Sequence, residues 1–185
     1  MKNYEIRLSG SGGQGLILAG IILARGAVLD KRRVTQTQSY GPESRGGSSR
    51  ADVIISDQEI FFPEATHFHC LLALTQEACD KYLFDLRENG ILIIDTTHVK
   101  NLALAAENTF ELPFTEIAIE KLGSPITTNI ISLAFLVKVT GIVKEASLKQ
   151  SIAETVKPAF VELNHKAMKL GFDLAEKYLK GKPKP

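Results

Sequence analysis

The chain has 185 residues, with 22 Lys and Arg against 21 Asp and Glu, so its net charge of +1 gives no reason to expect nucleic acid or an anionic membrane as a partner. Hydrophobic residues at 44% and charged residues at 23% exclude a disordered chain and suit a core burying roughly 70% of the extended surface. Cys70 and Cys79 alone cannot supply the four thiolates of an iron–sulfur cluster or an all-cysteine zinc site, so no metal site is expected. Two thiols fit a reducing compartment, MKNYEIRLSG lacks the apolar core of a signal peptide, and no stretch reaches a membrane-spanning apolar run free of charge. The expectation is a cytoplasmic protein.

Tyr4 to Ser9 reads as a first strand that runs into a glycine cluster, Gly10 to Gly15. Leu16 to Val28 is apolar on nearly every face, which predicts a helix buried between a sheet and a further layer. Arg33 to Gln38 reads as a second strand and Ala51 to Ser56 as a third. Between them, SYGPESRGGSSR (residues 39–50) is polar and Gly-rich, too long for a tight hairpin, and reads as a loop. Phe68 to Thr75 is a continuous apolar run, hence a central strand. Gln76 to Leu86 has helical spacing, with Ala78, Tyr82, Leu83 and Leu86 facing inward. Asn89 and Gly90 punctuate before the strand Ile91 to Asp95, and a weaker strand covers Thr109 to Pro113.

The remainder is helical: Thr115 to Leu122, Thr127 to Thr140, Lys144 to Val156 and Pro158 to Leu179. Gly141 fits a helix stop and Pro158 a first turn. The strand–helix alternation predicts an α/β fold, a three-layer α/β/α sandwich with a mostly parallel sheet. Its Gly-rich loops should both emerge at the carboxyl edge. No linker separates two cores, so residues 1–180 form one domain and 181–185 a frayed tail.

Gly10, Gly12 and Gly15 fit G-x-G-x-x-G between a strand and a helix, where glycines permit a tight turn and the helix N-terminus favours a phosphate or carboxylate. A dinucleotide site also needs an acidic residue ending the second strand, and Thr35, Gln36, Thr37 and Gln38 stand there instead. The spacing of Gly10 and Gly15 suits a P-loop, but Leu16 and Ile17 replace its Lys and Ser/Thr. The competing reading is that these glycines only let the strand and helix pack closely.

Loop 39–50 presents Tyr40, Glu43, Arg45 and Arg50 among glycines, and a guanidinium suits forked contact with phosphate or carboxylate. Its alternative is a solvated loop in which Glu43 and Arg45 pair to little effect. His67 and His69 alternate on one strand face without a third ligand, and Cys79 reads as packing. His98 and His165 have no evident partner, and no Gly-x-Ser-x-Gly elbow exists. Asn129 near a helix start either joins a surface contact or caps its own backbone. No catalytic set emerges, and the chain reads as a site-bearing partner of a catalyst.

The runs SGSGGQGLILAGIILARGAV and TQTQSYGPESRGGSSRADVIIS, with LLALTQEACDKYL, GILIID and GSPITTNIISLAFL, resemble the gamma subunit of 2-oxoacid:ferredoxin (acceptor) oxidoreductases. The likeness spans nearly the whole chain and is greatest to the 2-oxoglutarate type, with pyruvate, branched-chain oxoacid and indolepyruvate types close behind. It implies a non-autonomous subunit of an enzyme that converts a 2-oxoacid, such as 2-oxoglutarate, to its acyl-CoA and CO2 while reducing ferredoxin. It implies thiamine diphosphate, Mg2+, [4Fe-4S] clusters and coenzyme A in the assembled complex, none bound by this chain alone, with alpha, beta and delta chains as partners. Gly10, Gly12, Gly13, Gln14, Gly15 and Arg45 become candidates for coenzyme A or subunit contact. Tyr40, Gly41, Glu43, Gly46, Gly47, Ser48 and Asn129 become interface candidates. The alternatives are a stand-alone Rossmann-like nucleotide-binding module and a purely structural scaffold.

Overall fold

A computed structural model describes residues 3–40, 48–104 and 108–181. Six strands form one sheet: β1 (Tyr4–Ser11), β2 (Arg33–Tyr40), β3 (Ser48–Ser56), β4 (Phe68–Ala73), β5 (Leu86–Asp95) and β6 (Asn108–Leu112). Their order is β2-β3-β1-β4-β5-β6. The pairs β1/β4, β4/β5 and β5/β6 are parallel, whereas β3 runs antiparallel to both β1 and β2. The sheet is therefore mixed, with three of its five ladders parallel and β3 alone running against the other five strands. Residues 41–47 alone separate β2 from β3, fewer than the dozen or so that a parallel crossover needs, and strands joined that closely pair antiparallel. The 39–50 loop is likewise shorter than expected: Ser39 and Tyr40 end β2, and Ser48 to Arg50 open β3.

Among the described residues, six α-helices follow from the apolar periodicities: α1 (Leu16–Leu29), α2 (Gln76–Tyr82), α3 (Phe114–Leu122), α4 (Thr128–Thr140), α5 (Glu145–Thr155) and α6 (Val161–Gly181). Short 3-10 turns span Leu83–Asp85, Pro125–Thr127 and Pro158–Phe160. The helix expected to reach Leu86 stops at Tyr82, and β5 begins at Leu86, so Asn89 and Gly90 lie within a strand. Gly141 caps α4 in the left-handed region (φ 63°). Of the expected frayed tail, Gly181 ends α6 and residues 182–185 lie outside the described residues.

Alternate side chains divide between two cores. Ile6, Leu8, Leu72 and Ile93 pack on one face beneath α1, α3, α4, α5 and α6. This core includes Phe110, Phe114 and Phe135, with Phe135 edge-on to both of the others at ring separations of 5.6 and 5.4 Å. Helix α4 is buried on all sides from Thr128 to Val137, as its lack of a polar stripe requires. It crosses α6 closely at Gly171, where a Cβ would stand 2.3 Å from the Ile131 carbonyl oxygen.

Among the described residues, the opposite face is covered by α2 and the connections around it. Ile54, Phe68, Leu71, Leu92 and Ile94 pack there with Tyr82 and Leu83. Arg7 and Asp52 are buried in the same layer, with the guanidinium donating from Nε and Nη2 to the two carboxylate oxygens at 2.6 and 2.7 Å. The guanidinium lies 4.0 Å from the Phe68 ring centroid and 4.6 Å from that of Tyr82. Fork-to-fork pairing and aromatic stacking together satisfy a charge that the apolar layer would otherwise expel. Cys70 lies in the first core and Cys79 in the second.

Candidate functional site

Beyond Gly10 the chain turns through Gly12–Gly15 into α1, and the turn is held by two side-chain amides. Gln14 folds back so that its Oε1 accepts the Ser11 backbone N–H at 2.8 Å. Asn129, only 4% exposed at the start of α4, donates from Nδ2 to the Gly15 carbonyl at 3.0 Å and accepts the Ile130 N–H at 2.8 Å. It thus bonds its own helix start and the glycine turn at once, over 114 residues of sequence. Gly13 and Gly15 take φ of 94° and 71°, and a Cβ on Gly15 would lie 2.4 Å from Asn129 Nδ2. Only glycine meets both demands. The α1 N-terminus has neither a side-chain cap nor an acidic residue in its first turn, so its unpaired N–H groups keep their partial positive charge.

The register carries this turn to the other candidates. Ser11 stands opposite Ser48, and Gly10 opposite Ser49, which in turn faces Tyr40. The ends of β1 and β2 and the start of β3 therefore share one edge. Gly41, Glu43, Arg45, Gly46 and Gly47 lie outside the described residues. Because β3 intervenes, the end of β2 is two strand spacings, roughly 9–10 Å, from β1. A dinucleotide site of the G-x-G-x-x-G kind requires those two strand ends side by side, and here they are separated.

Two cavities open at this edge, sharing Gly13 and Ile126. The smaller, about 270 Å³, takes its polar groups from Gln14, His98, Thr115 and Thr128. Behind it, buried Asp95 accepts the Thr115 hydroxyl at 2.5 Å, the Thr115 N–H at 3.2 Å and the Thr97 N–H at 3.0 Å. A carboxylate from the end of β5 thereby caps α3 and fixes a wall of the cavity. The larger cavity, about 430 Å³, is mainly apolar, with Leu18, Val156, Phe160 and Leu163 beside Lys157, Asn164 and Thr155. The Thr155 hydroxyl oxygen is buried and has no hydrogen-bond partner among the described residues. Sequence reasoning missed this wall because the α5–α6 junction joins the glycine turn only through the tertiary fold. His98 and Thr115 carried one usable signal, their closeness to the carboxyl end of a parallel strand.

The histidine pair lies elsewhere. His67 and His69 line a hollow of about 460 Å³ with Tyr4 and Arg87, at the amino edge of the sheet. His69 stacks on Tyr4 at 4.8 Å and accepts the Glu5 N–H through Nδ1 at 3.0 Å. Burial, then the Arg87 charge, holds its pKa below the usual histidine value. Among the described residues no three His, Cys, Asp or Glu side chains are grouped to hold a metal. Burial pushes the Cys70 thiol up strongly, and burial with Asp80 pushes Cys79 to about 11. With one thiol in each core, the two cannot ligate a common cluster.

Residues 5–174 match the family model described as pyruvate ferredoxin/flavodoxin oxidoreductase. The chain is 42% identical over 175 residues to the 2-oxoglutarate synthase subunit KorC of Methanocaldococcus jannaschii, covering 93% of this chain and 94% of that one. The crystal structure of a keto/oxoacid ferredoxin oxidoreductase gamma subunit from Geobacter sulfurreducens is 44% identical with a TM-score of 0.84, covering 94% and 99%. A structure of Magnetococcus marinus 2-oxoglutarate:ferredoxin oxidoreductase, with 2-oxoglutarate, coenzyme A and succinyl-CoA bound, shares the fold at a TM-score of 0.83 and 20% identity. That likeness covers 96% of this chain and 32% of the other.

Proposed function

The chain belongs to the pyruvate ferredoxin/flavodoxin oxidoreductase family as the gamma subunit of a 2-oxoacid:ferredoxin oxidoreductase, and from that premise we propose that its carboxyl edge serves the coenzyme A route of a 2-oxoglutarate-oxidising complex. In this reading the enzyme converts 2-oxoglutarate to succinyl-CoA and CO2 and passes electrons to ferredoxin in the cytoplasm. Thiamine diphosphate with Mg2+ supplies the decarboxylation chemistry, and [4Fe-4S] clusters the electron path, in alpha, beta and delta chains. The separated, high-pKa thiols of this chain suit neither group.

The observation that carries the reading is the two-chambered crevice beside a helix start that favours anions. Coenzyme A combines phosphates with an aliphatic chain broken by amides. The α1 N–H groups and Lys157 suit the first. The apolar chamber, with the unpartnered Thr155 hydroxyl, suits the second. Asn129 acts as a positioning residue that holds the turn between them. Gly12 of the glycine turn, and Arg45 with its neighbours in the 39–50 segment, are candidate contacts with coenzyme A or with the catalytic chains.

The test is steady-state kinetics of the assembled enzyme. Lys157→Ala and Arg45→Ala are each expected to raise KM for coenzyme A about tenfold, as for loss of a charge-assisted contact, with KM for 2-oxoglutarate unchanged. An intact complex with unchanged coenzyme A kinetics in both variants would overturn the reading and leave the scaffold alternative. Dissociation of the Arg45→Ala complex, with normal kinetics in what remains, would reassign that residue to assembly.

A further inference from the structure

We infer that residues 57–67, at the edge opposite the glycine turn, form an acid-flanked aromatic knob that docks into an apolar, Lys- or Arg-rimmed pocket on a larger subunit of the same enzyme. The segment leaves β3 and enters β4 at the amino edge, passing over β1 on the one-helix face. It is pinned at two points. Ile60 packs against the second core, and buried Ala65 accepts a hydrogen bond from the Arg7 guanidinium at 3.3 Å. The Thr66 N–H adds a bond to Glu5 at 3.3 Å.

Between these anchors Phe61 is 87% exposed and Phe62 59% exposed. Water contact over two adjacent phenyl rings is unfavourable unless another surface covers them. Phe84, 69% exposed, leads into Leu86, which pairs with Phe68 at this same edge. The rings sit on a tethered segment, so docking them orders little new backbone, the condition under which an aromatic anchor contributes most.

The flanking charge selects the partner. Glu59 and Glu64 are exposed on either side of the rings and enter no ion pair among the described residues. No Lys or Arg occurs from 57 to 67, and the two arginines at the segment's ends are engaged, Arg32 with Asp57 and Arg87 with Glu5 and the His67 carbonyl. A complementary surface is therefore apolar at its centre and basic at its rim. This rests on the gamma-subunit reading, which supplies a partner chain, but not on the coenzyme A crevice at the other end of the sheet.

The test co-expresses the chain with the larger subunits and measures association by titration. Phe61→Ser with Phe62→Ser is expected to raise the Kd at least tenfold, with the melting temperature of the isolated chain within about 2 °C because both rings are exposed. Glu59→Lys with Glu64→Lys is expected to raise the Kd several-fold at 50 mM salt and to converge on the wild type at 500 mM. KM for coenzyme A in whatever complex forms stays unchanged. Wild-type assembly with no effect of the Phe variant overturns the knob alone. Failure of the wild type to assemble overturns both this inference and the gamma-subunit role beneath it. Self-association of the wild type, lost in the Phe variant, overturns the partner and gives the knob to a second copy.

Discussion

On one side of the sheet, five helices seal a core whose centre is aliphatic and aromatic; on the other, a single seven-residue helix covers a layer with an ion pair at its centre. The first arrangement draws its stability from packed area, which many similar residues supply almost interchangeably. The second depends on one geometry, because Arg7 and Asp52 are tolerable there only while each satisfies the other. Substitution should therefore be graded on the first face and all-or-none on the second.

The largest effect expected is on the five-helix face. Phe135→Ala removes a fully buried ring that three aromatic neighbours contact, and should cost about 3–5 kcal/mol. In a chain of this size that lowers the melting temperature by roughly 10 °C, a shift that calorimetry reads directly. A shift under 2 °C would mean that the central core is not packed as described.

On the one-helix face the sharper test is a pair of variants. Asp52→Leu leaves the Arg7 guanidinium buried without its carboxylate, and should cost about 3 kcal/mol in urea unfolding. Adding Arg7→Met should bring stability back to within about 1 kcal/mol of the wild type. If the double variant is as unstable as the single one, Arg7 and Asp52 do not act as a unit.

The smallest effect lies at the amino edge. His69 keeps a folded pKa below the ordinary value of about 6.5, through burial and then Arg87. Its neutral form is the one that accepts the Glu5 N–H. Below pH 6.5 the unfolded chain takes up this proton more readily than the folded one, so stability falls as the solution is acidified. The contribution is complete above pH 6.5. Melting temperatures of the wild type and His69→Gln should converge between pH 7.5 and pH 5, and a constant gap would refute the linkage.

The same contrast governs what the sequence discloses. Helix α1 is legible because fourteen residues are apolar on nearly every side, a pattern that only burial explains. The glycine turn is legible because its spacing sits between a strand and a helix. The reversed direction of β3 is not, since alternation along a strand reads the same from either end. Nor is the start of β5, where Arg87, Glu88 and Asn89 are exposed and look like a turn. Thr155, Lys157 and Phe160 reach the glycine turn across about 140 residues. No local pattern encodes that approach. Asn129 is intermediate: a helix start was visible, its bond to Gly15 was not.

The burial of Arg7 also bears on how the chain is made. Arg7 is synthesised 45 residues before Asp52, an interval of about 2–9 s at 5–20 residues per second. Throughout that time Ile6 and Leu8 belong to a strand with no partner on either side, since both its neighbours, β3 and β4, come later. A hydrated guanidinium between two large aliphatic residues keeps such a segment from joining other nascent chains edge to edge. The charge withdraws from water only when its carboxylate arrives, so a side chain awkward in the finished interior acts as a temporary solubiliser on the way there.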